Sequence, residues 1–127
     1  FSLVQFDRVL FLDADILVVG SLAPLVEWPM PSGYAVAAVR DFKHDRRSNR
    51  SSWSSEFNTG VMLIRPNASF FAALLSAMRE DRIRYNYRMG SDQQLLCAFI
   101  GKEWVALPTR MNANLALYVY MRSAWEE

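Results

Sequence analysis

Apolar residues fall along this chain in short runs separated by turn residues, and two periodicities alternate. Arg8 to Leu12 is a compact apolar run, partly β-branched and aromatic, which predicts a buried strand. Ile16 to Val19 predicts a second short extended piece, ended by Gly20. Leu22 to Trp28 suits a short helix entered through Ser21 as N-cap, with Pro24 tolerated in its first turn and Pro29 and Pro31 stopping it. Tyr34 to Val39 predicts another buried strand. From Arg40 to Glu56 the chain turns to charge and serine, which predicts a loop. Val61 to Ile64 is a strand closed by Pro66. Ser69 to Asp81 is the clearest helix, with Phe70, Phe71, Leu74, Leu75 and Met78 on one stripe. Asp92 to Ile100 is a second helix stopped by Gly101, and Trp104 to Leu107 a last strand. The tail from Leu115 fits neither template. Strands alternating with helices in 127 residues predict a single α/β layered domain.

Two carboxylates interrupt this pattern. Asp13 and Asp15 lie between apolar runs, where ionised groups are costly unless paired, hydrogen-bonded or bound to metal. In an extended segment, residues i and i+2 point to the same side, so both can converge on one hard cation, Mn²⁺ or Mg²⁺. Ala14 between them is small enough for a ligand to approach its backbone. The competing reading is a turn with two solvated aspartates. Asp-x-Asp after four apolar residues also opens phosphatases of the haloacid dehalogenase type. Here Leu17 stands where their Thr or Val belongs, and the acidic pairs Glu80-Asp81 and Glu126-Glu127 follow no apolar strand.

Composition narrows the partners more than the chemistry. The chain is 52% hydrophobic and 21% charged, enough for a real core, and its net charge of +1 gives no electrostatic reason to expect nucleic acid or a membrane surface. No apolar run approaches the roughly 20 residues of a membrane span. The single cysteine, Cys97, lies among Leu95, Leu96, Ala98 and Phe99 and reads as a buried small residue rather than a nucleophile.

Three further segments end strands or begin helices with ligand-type groups: Val36-Ala-Ala-Val-Arg-Asp41, Phe57-Asn-Thr-Gly-Val61 and Gly90-Ser-Asp-Gln93. Asp, Asn, Thr and Gln are suited to sugar hydroxyls because each can make more than one hydrogen bond. Together with Phe6-Asp-Arg-Val-Leu-Phe-Leu-Asp-Ala-Asp15, Met62-Leu-Ile-Arg-Pro66, Leu96, Leu107-Pro108 and Asn112, they resemble glycosyltransferase family 8, the glycogenin-like enzymes. The resemblance implies an α/β GT-A fold (Rossmann-like, of the nucleotide-diphospho-sugar transferase kind), incomplete at both ends. It implies retaining transfer of a hexosyl or glycuronosyl group from a UDP-sugar to a carbohydrate, protein or lipid acceptor. Asp13 and Asp15 match the family's metal pair. Ala14, Asp41, Asn58, Thr59 and Gly60 fall in its donor-binding segments, and Asp92 and Gln93 match its Asp-Gln near the reacting carbon. Gln93 is expected closest to that carbon, as a positioning group rather than a base.

The chain departs from the family in three respects. Met89 stands where the family has an aspartate. The only histidine, His44, is not in the terminal His-Phe/Tyr-x-Gly segment that supplies a third metal ligand. The uridine-binding N-terminal half precedes anything present here, so residues 1–127 read as the middle of one larger domain. These departures keep a second class open, an inactive member acting as a binding module. His44 reads as a solvated loop residue. Arg46, Arg47 and Arg50 read as a charged surface loop, placed between two site segments where a lid would be. Asn112 and Asn114 fit either acceptor contact or turn roles, and Trp53 is the tryptophan best placed to stack on a sugar. The triplets Asn49-Arg-Ser51 and Asn67-Ala-Ser69 lean towards the Golgi lumen over the cytoplasm, although Asn67 also suits an N-cap.

Overall fold

The computed structural model describes residues 1–80 and 91–125. Four strands form one mixed sheet in the order β1-β3-β2-β4: β1 (Val9–Leu12), β2 (Val36–Asp45), β3 (Arg50–Ile64) and β4 (Val105–Leu107). β3 is the hub. It pairs antiparallel with β1, from Val9↔Ile64 to Leu12↔Val61, and antiparallel with β2, which in turn pairs parallel with β4.

Side-chain alternation divides the core into two layers. On one face Val36, Ala38, Phe57, Met62 and Ile64 pack against α2 (Ala68–Arg79) and α3 (Asp92–Ile100) through Leu74, Ala77, Leu96, Cys97 and Ile100. On the other, Ala37, Val39, Val61, Leu63 and Leu107 pack against Leu25 of the short α1 (Ala23–Val26) and Met30. Two arginines secure that second layer. Arg8 donates to the carbonyls of Val26 and Trp28, and Arg65 to those of Met30 and Pro31, so carbonyls left open where α1 ends are satisfied.

α1 follows Leu22 with no side-chain cap at that position, whereas α2 and α3 start where side chains cap them. Asn67 accepts from Phe70 N at 2.8 Å at the head of α2, and Ser91 accepts from Gln94 N at 3.3 Å at the head of α3. Gly101 ends α3 at φ 64°, a conformation L side chains avoid. The stripe predicted for α2 is displaced at its end: Ala77 faces the core and Met78 is exposed. The tail is helical, as α4 (Leu115–Tyr120) and α5 (Arg122–Trp125), and Leu117 buries it.

Two predicted elements differ. Ile16–Val19 is not a strand. Ile16 N–H bonds back to Asp13 O at 3.2 Å, closing a turn that tucks Ile16 inwards and leaves Leu17 and Val19 exposed. Arg40–Glu56 is not a loop but most of a long hairpin, with Phe42↔Trp53, Lys43↔Ser52 and His44↔Ser51 paired. Its polar residues on both faces hide the strand pattern, while the backbone pairs regardless. A paired hairpin removes the basis for reading this segment as a lid-forming loop. His44 is accordingly no solvated loop residue: it stacks on Tyr120 at 3.7 Å and shares a hydrogen bond with Ser51. Trp53 sits edge-on to Phe42 at 5.6 Å, half-buried, rather than standing free.

Phe57 has no exposed surface and contacts the α3 layer. Phe57→Ala is expected to lower unfolding free energy by about 3–5 kcal/mol, read as a fall in the urea midpoint at unchanged slope.

Candidate functional site

Strand direction gathers the polar residues. β1, β2 and β4 run the same way and β3 runs against them, so the C-terminal ends of three strands lie along one edge of the sheet. Such an edge is where α/β sheets collect ligand groups. Asp13 follows β1, Asp41 lies in the outer half of β2, and Asn112 follows β4 through a 3₁₀ turn, Thr109–Met111.

Two irregularities in the β2–β3 ladder open this edge. The pairing jumps between Ala38↔Met62 and Val39↔Asn58, and again between Arg40↔Phe57 and Phe42↔Trp53. The first leaves Thr59, Gly60 and Val61 without β2 partners, and the second frees Asp41 from the ladder. Bulges of this kind re-aim side chains. Across this irregular stretch Asp41 and Asn58, on adjacent strands, come within hydrogen-bonding distance.

Six residues then form a hydrogen-bond circuit. Asp41, 8% exposed, accepts from Asn58 Nδ2 on Oδ1 and from Gln93 Nε2 on Oδ2, both at 3.2 Å. Asn58 Oδ1 accepts from Gly60 N at 2.9 Å and from Asn112 Nδ2 at 2.8 Å. Gln93 Oε1 accepts from Thr59 N at 3.1 Å. Each bond satisfies a group whose burial would otherwise be costly. The circuit meets the Asp13 turn through Gly60, whose carbonyl accepts from Asp13 N at 2.9 Å.

Asp13 is half-buried and Asp15 exposed. The turn replaces the extended geometry expected of the pair, and the carboxylates do not project from a common strand face. Partial burial raises the Asp13 pKa, and repulsion from Asp92 and Asp15 adds to the rise. Asp92 is exposed in the first turn of α3, next to Gln93. Asp13 therefore feels the charge of two neighbouring carboxylates. Among the described residues no three His, Cys, Asp or Glu side chains gather closely enough to hold a metal ion by themselves.

Space at Gly60 is fully used. A Cβ there would lie 2.9 Å from Asn58 Oδ1, 3.4 Å from Asn112 Nδ2 and 3.6 Å from Asp13 Oδ2. Behind the site, Cys97 donates its thiol to Phe57 O at 3.3 Å, and burial pushes its pKa up to about 11. That is the inert buried cysteine its neighbours predict.

The model of the family described as glycosyl transferase family 8 matches residues 1–126. The chain belongs to that family. Membership brings the GT-A fold, of which the described sheet and its flanking helices are part, and leaves the phosphatase alternative without support. Similar proteins include glycosyltransferase GlyF of Streptococcus pneumoniae, 31% identical over 94% of this chain and 29% of its own length. Glycogenin-2 of Saccharomyces cerevisiae is 29% identical over 96% of this chain and 33% of its own. UDP-glucuronate:xylan alpha-glucuronosyltransferase 2 of Arabidopsis thaliana is 31% identical over 87% of this chain and 15% of its own. The chain thus spans a third or less of the length of these relatives. No solved structure matches it significantly.

Within this family member the structure brings together Asp41, Asn58, Thr59, Gly60 and Gln93, with Asp13 joined by its backbone. Ala14, Asp15 and Asp92 stand on the exposed rim. Met89 and Gly90, singled out in the sequence, lie outside the described residues, as do Asp81, Glu126 and Glu127. Asn112 fitted acceptor contact or a turn in the sequence; in the structure its side chain bonds Asn58, a contact that neither reading included.

Gly60→Ala is expected to cost about 1–3 kcal/mol and to shift the Asn58 side-chain amide resonances, because the new methyl meets its carbonyl oxygen. With its raised pKa only about one Cys97 thiol in a thousand is ionised at pH 8, so iodoacetamide should modify it only on unfolding.

Proposed function

We propose that this chain forms the donor-handling part of a metal-dependent, retaining glycosyltransferase that moves a hexosyl or glycuronosyl group from a UDP-sugar to an acceptor hydroxyl. The observation that carries this reading is the circuit of Asp41, Asn58 and Gln93 lying one hydrogen bond from the Asp13 turn. Side-chain amides held by a buried carboxylate suit a sugar hydroxyl, and a neighbouring cluster of carboxylates suits a cation beside a diphosphate. The family match and the name of the Arabidopsis relative, which specifies a UDP-linked donor, support the same class.

The ligand proposed for these carboxylates is a divalent cation, Mn²⁺ or Mg²⁺. Asp13 and Asp15 would hold it, and its charge would relieve the repulsion that Asp13 feels from Asp15 and Asp92. Two carboxylates leave room for diphosphate oxygens and water in its shell, the usual arrangement for such ions. When bound, the ion supplies Lewis-acid stabilisation of charge on the departing diphosphate. Asn58 and Gln93 orient the transferred sugar through their remaining N–H groups. Gln93, tied at both ends of its amide, acts by position and electrostatics rather than as a base.

Calorimetry of UDP with and without Mn²⁺ on the full-length protein tests this reading. Binding is expected to require the cation and to disappear in Asp13→Asn/Asp15→Asn; cation-dependent binding that survives in the double variant rules out the ligand assignment. Stability separates site from scaffold. Because folding raises the Asp13 pKa, its ionised form works against the fold above about pH 4, and the penalty fades as pH falls. Asp13→Asn should therefore melt no lower than the unaltered protein at pH 7 without cation, with any gain vanishing towards pH 3.

A further inference from the structure

Asn112 has two ordinary structural jobs open to it, and its side chain does neither. The 3₁₀ turn is closed by its main chain, with Asn112 N–H on Thr109 O at 3.0 Å. The following helix α4 is capped by Asn114, whose Oδ1 accepts from Leu117 N at 3.3 Å. The Asn112 side chain instead reaches across 54 residues of sequence to Asn58 Oδ1.

The orientation of these amides follows from groups whose roles are fixed. The backbone N–H groups of Gly60 and Thr59 can only donate, so the atoms they meet on Asn58 and Gln93 are the oxygens. The amide nitrogens then face Asp41, whose carboxylate accepts both. Asn58 Oδ1 has two lone pairs, and Gly60 N–H takes one. Asn112 takes the other, which leaves Asn58 with a single uncommitted hydrogen-bonding atom among the described residues, the second hydrogen of Nδ2. Asn58 and Asn112 are both half-buried, so this edge of the circuit meets solvent. The absence of a side chain at Gly60 keeps the three groups in contact.

We propose that Asn112 is a positioning residue that occupies the last free lone pair of Asn58, so that Asn58 presents only an N–H to the ligand and selects an oxygen acceptor on the transferred sugar. The proposal rests on the donor reading above. Without Asn112, Asn58 keeps its orientation but exposes an acceptor as well as a donor. With an aspartate at 112, two acceptors meet and Asn58 is driven to rotate, which sets its oxygen against Asp41.

The test uses the full-length protein with UDP, UDP-glucose and UDP-glucuronate, each with Mn²⁺. Asn112→Ala and Asn112→Asp are expected to keep UDP affinity within about twofold. The extra affinity of the better-bound sugar nucleotide over UDP should fall by about tenfold in Asn112→Asp and less in Asn112→Ala. In an Asn58→Ala background, Asn112→Ala should add nothing, because its effect passes through Asn58. Equal losses for UDP and the sugar nucleotide, or additive losses in the double variant, would overturn the proposal. The Asn58 side-chain amide resonances of the ligand-free protein give a reading independent of any donor: they should move in Asn112→Asp, and unmoved resonances would also overturn it. Failure of UDP to bind the unaltered protein would count against the donor reading, with the resonances still deciding whether Asn112 controls Asn58.

Discussion

A carboxylate withdrawn from water must find donors, and the satisfaction of Asp41 is the constraint on which the rest of this site depends. Its two oxygens are answered from different elements, Asn58 on β3 and Gln93 at the start of α3. For both amides to arrive, β2 and β3 have to leave regular register on either side of Val39–Arg40, and α3 has to begin against the bulged segment. Breaking one arm leaves a buried charge under-coordinated, which costs more than the bond itself. The sheet supplies the platform through its two apolar layers, and the carboxylate decides where the platform opens.

What was legible in the sequence followed from burial. Val9–Leu12 shows as an apolar run, although β1 is an edge strand with Phe11 exposed and not a buried one, and Asp92–Ile100 shows as a stripe bounded by Ser91 and Gly101. The β2–β3 hairpin did not, because Arg50 to Glu56 has no apolar face to bury. Periodicity reports which side of a strand is covered, whereas ladder hydrogen bonds form whatever the side chains are. Ala77 replaced Met78 at the α2 core because the stripe follows the helix axis and not residue hydrophobicity alone.

The site was legible at the level of residue type and less so in geometry. Carboxylates and amides at strand ends and a helix start marked Asp13, Asp41, Asn58 and Gln93 as candidates. The same-side rule for Asp13 and Asp15 presupposed extended backbone, and the Asp13–Ile16 turn removes that premise. The relation of Asp13 to Asp92, across 79 residues of sequence, is electrostatic and becomes visible only in three dimensions. Asn112 is similar, since nothing local to residue 112 indicates a contact with Asn58.

The two register jumps also govern which changes of chain length this fold can absorb. Outboard of the Phe42↔Trp53 pair the ladder is regular and polar on both faces, so the hairpin tip around Asn49 can grow or shrink in paired steps without disturbing the sheet. Between Asn58 and Val61 a single added or lost residue would turn every later β3 side chain to the opposite layer, sending Leu63 towards α3 and Met62 towards α1. Divergence in loop length among relatives should accordingly concentrate at the tip and be purged from those four positions.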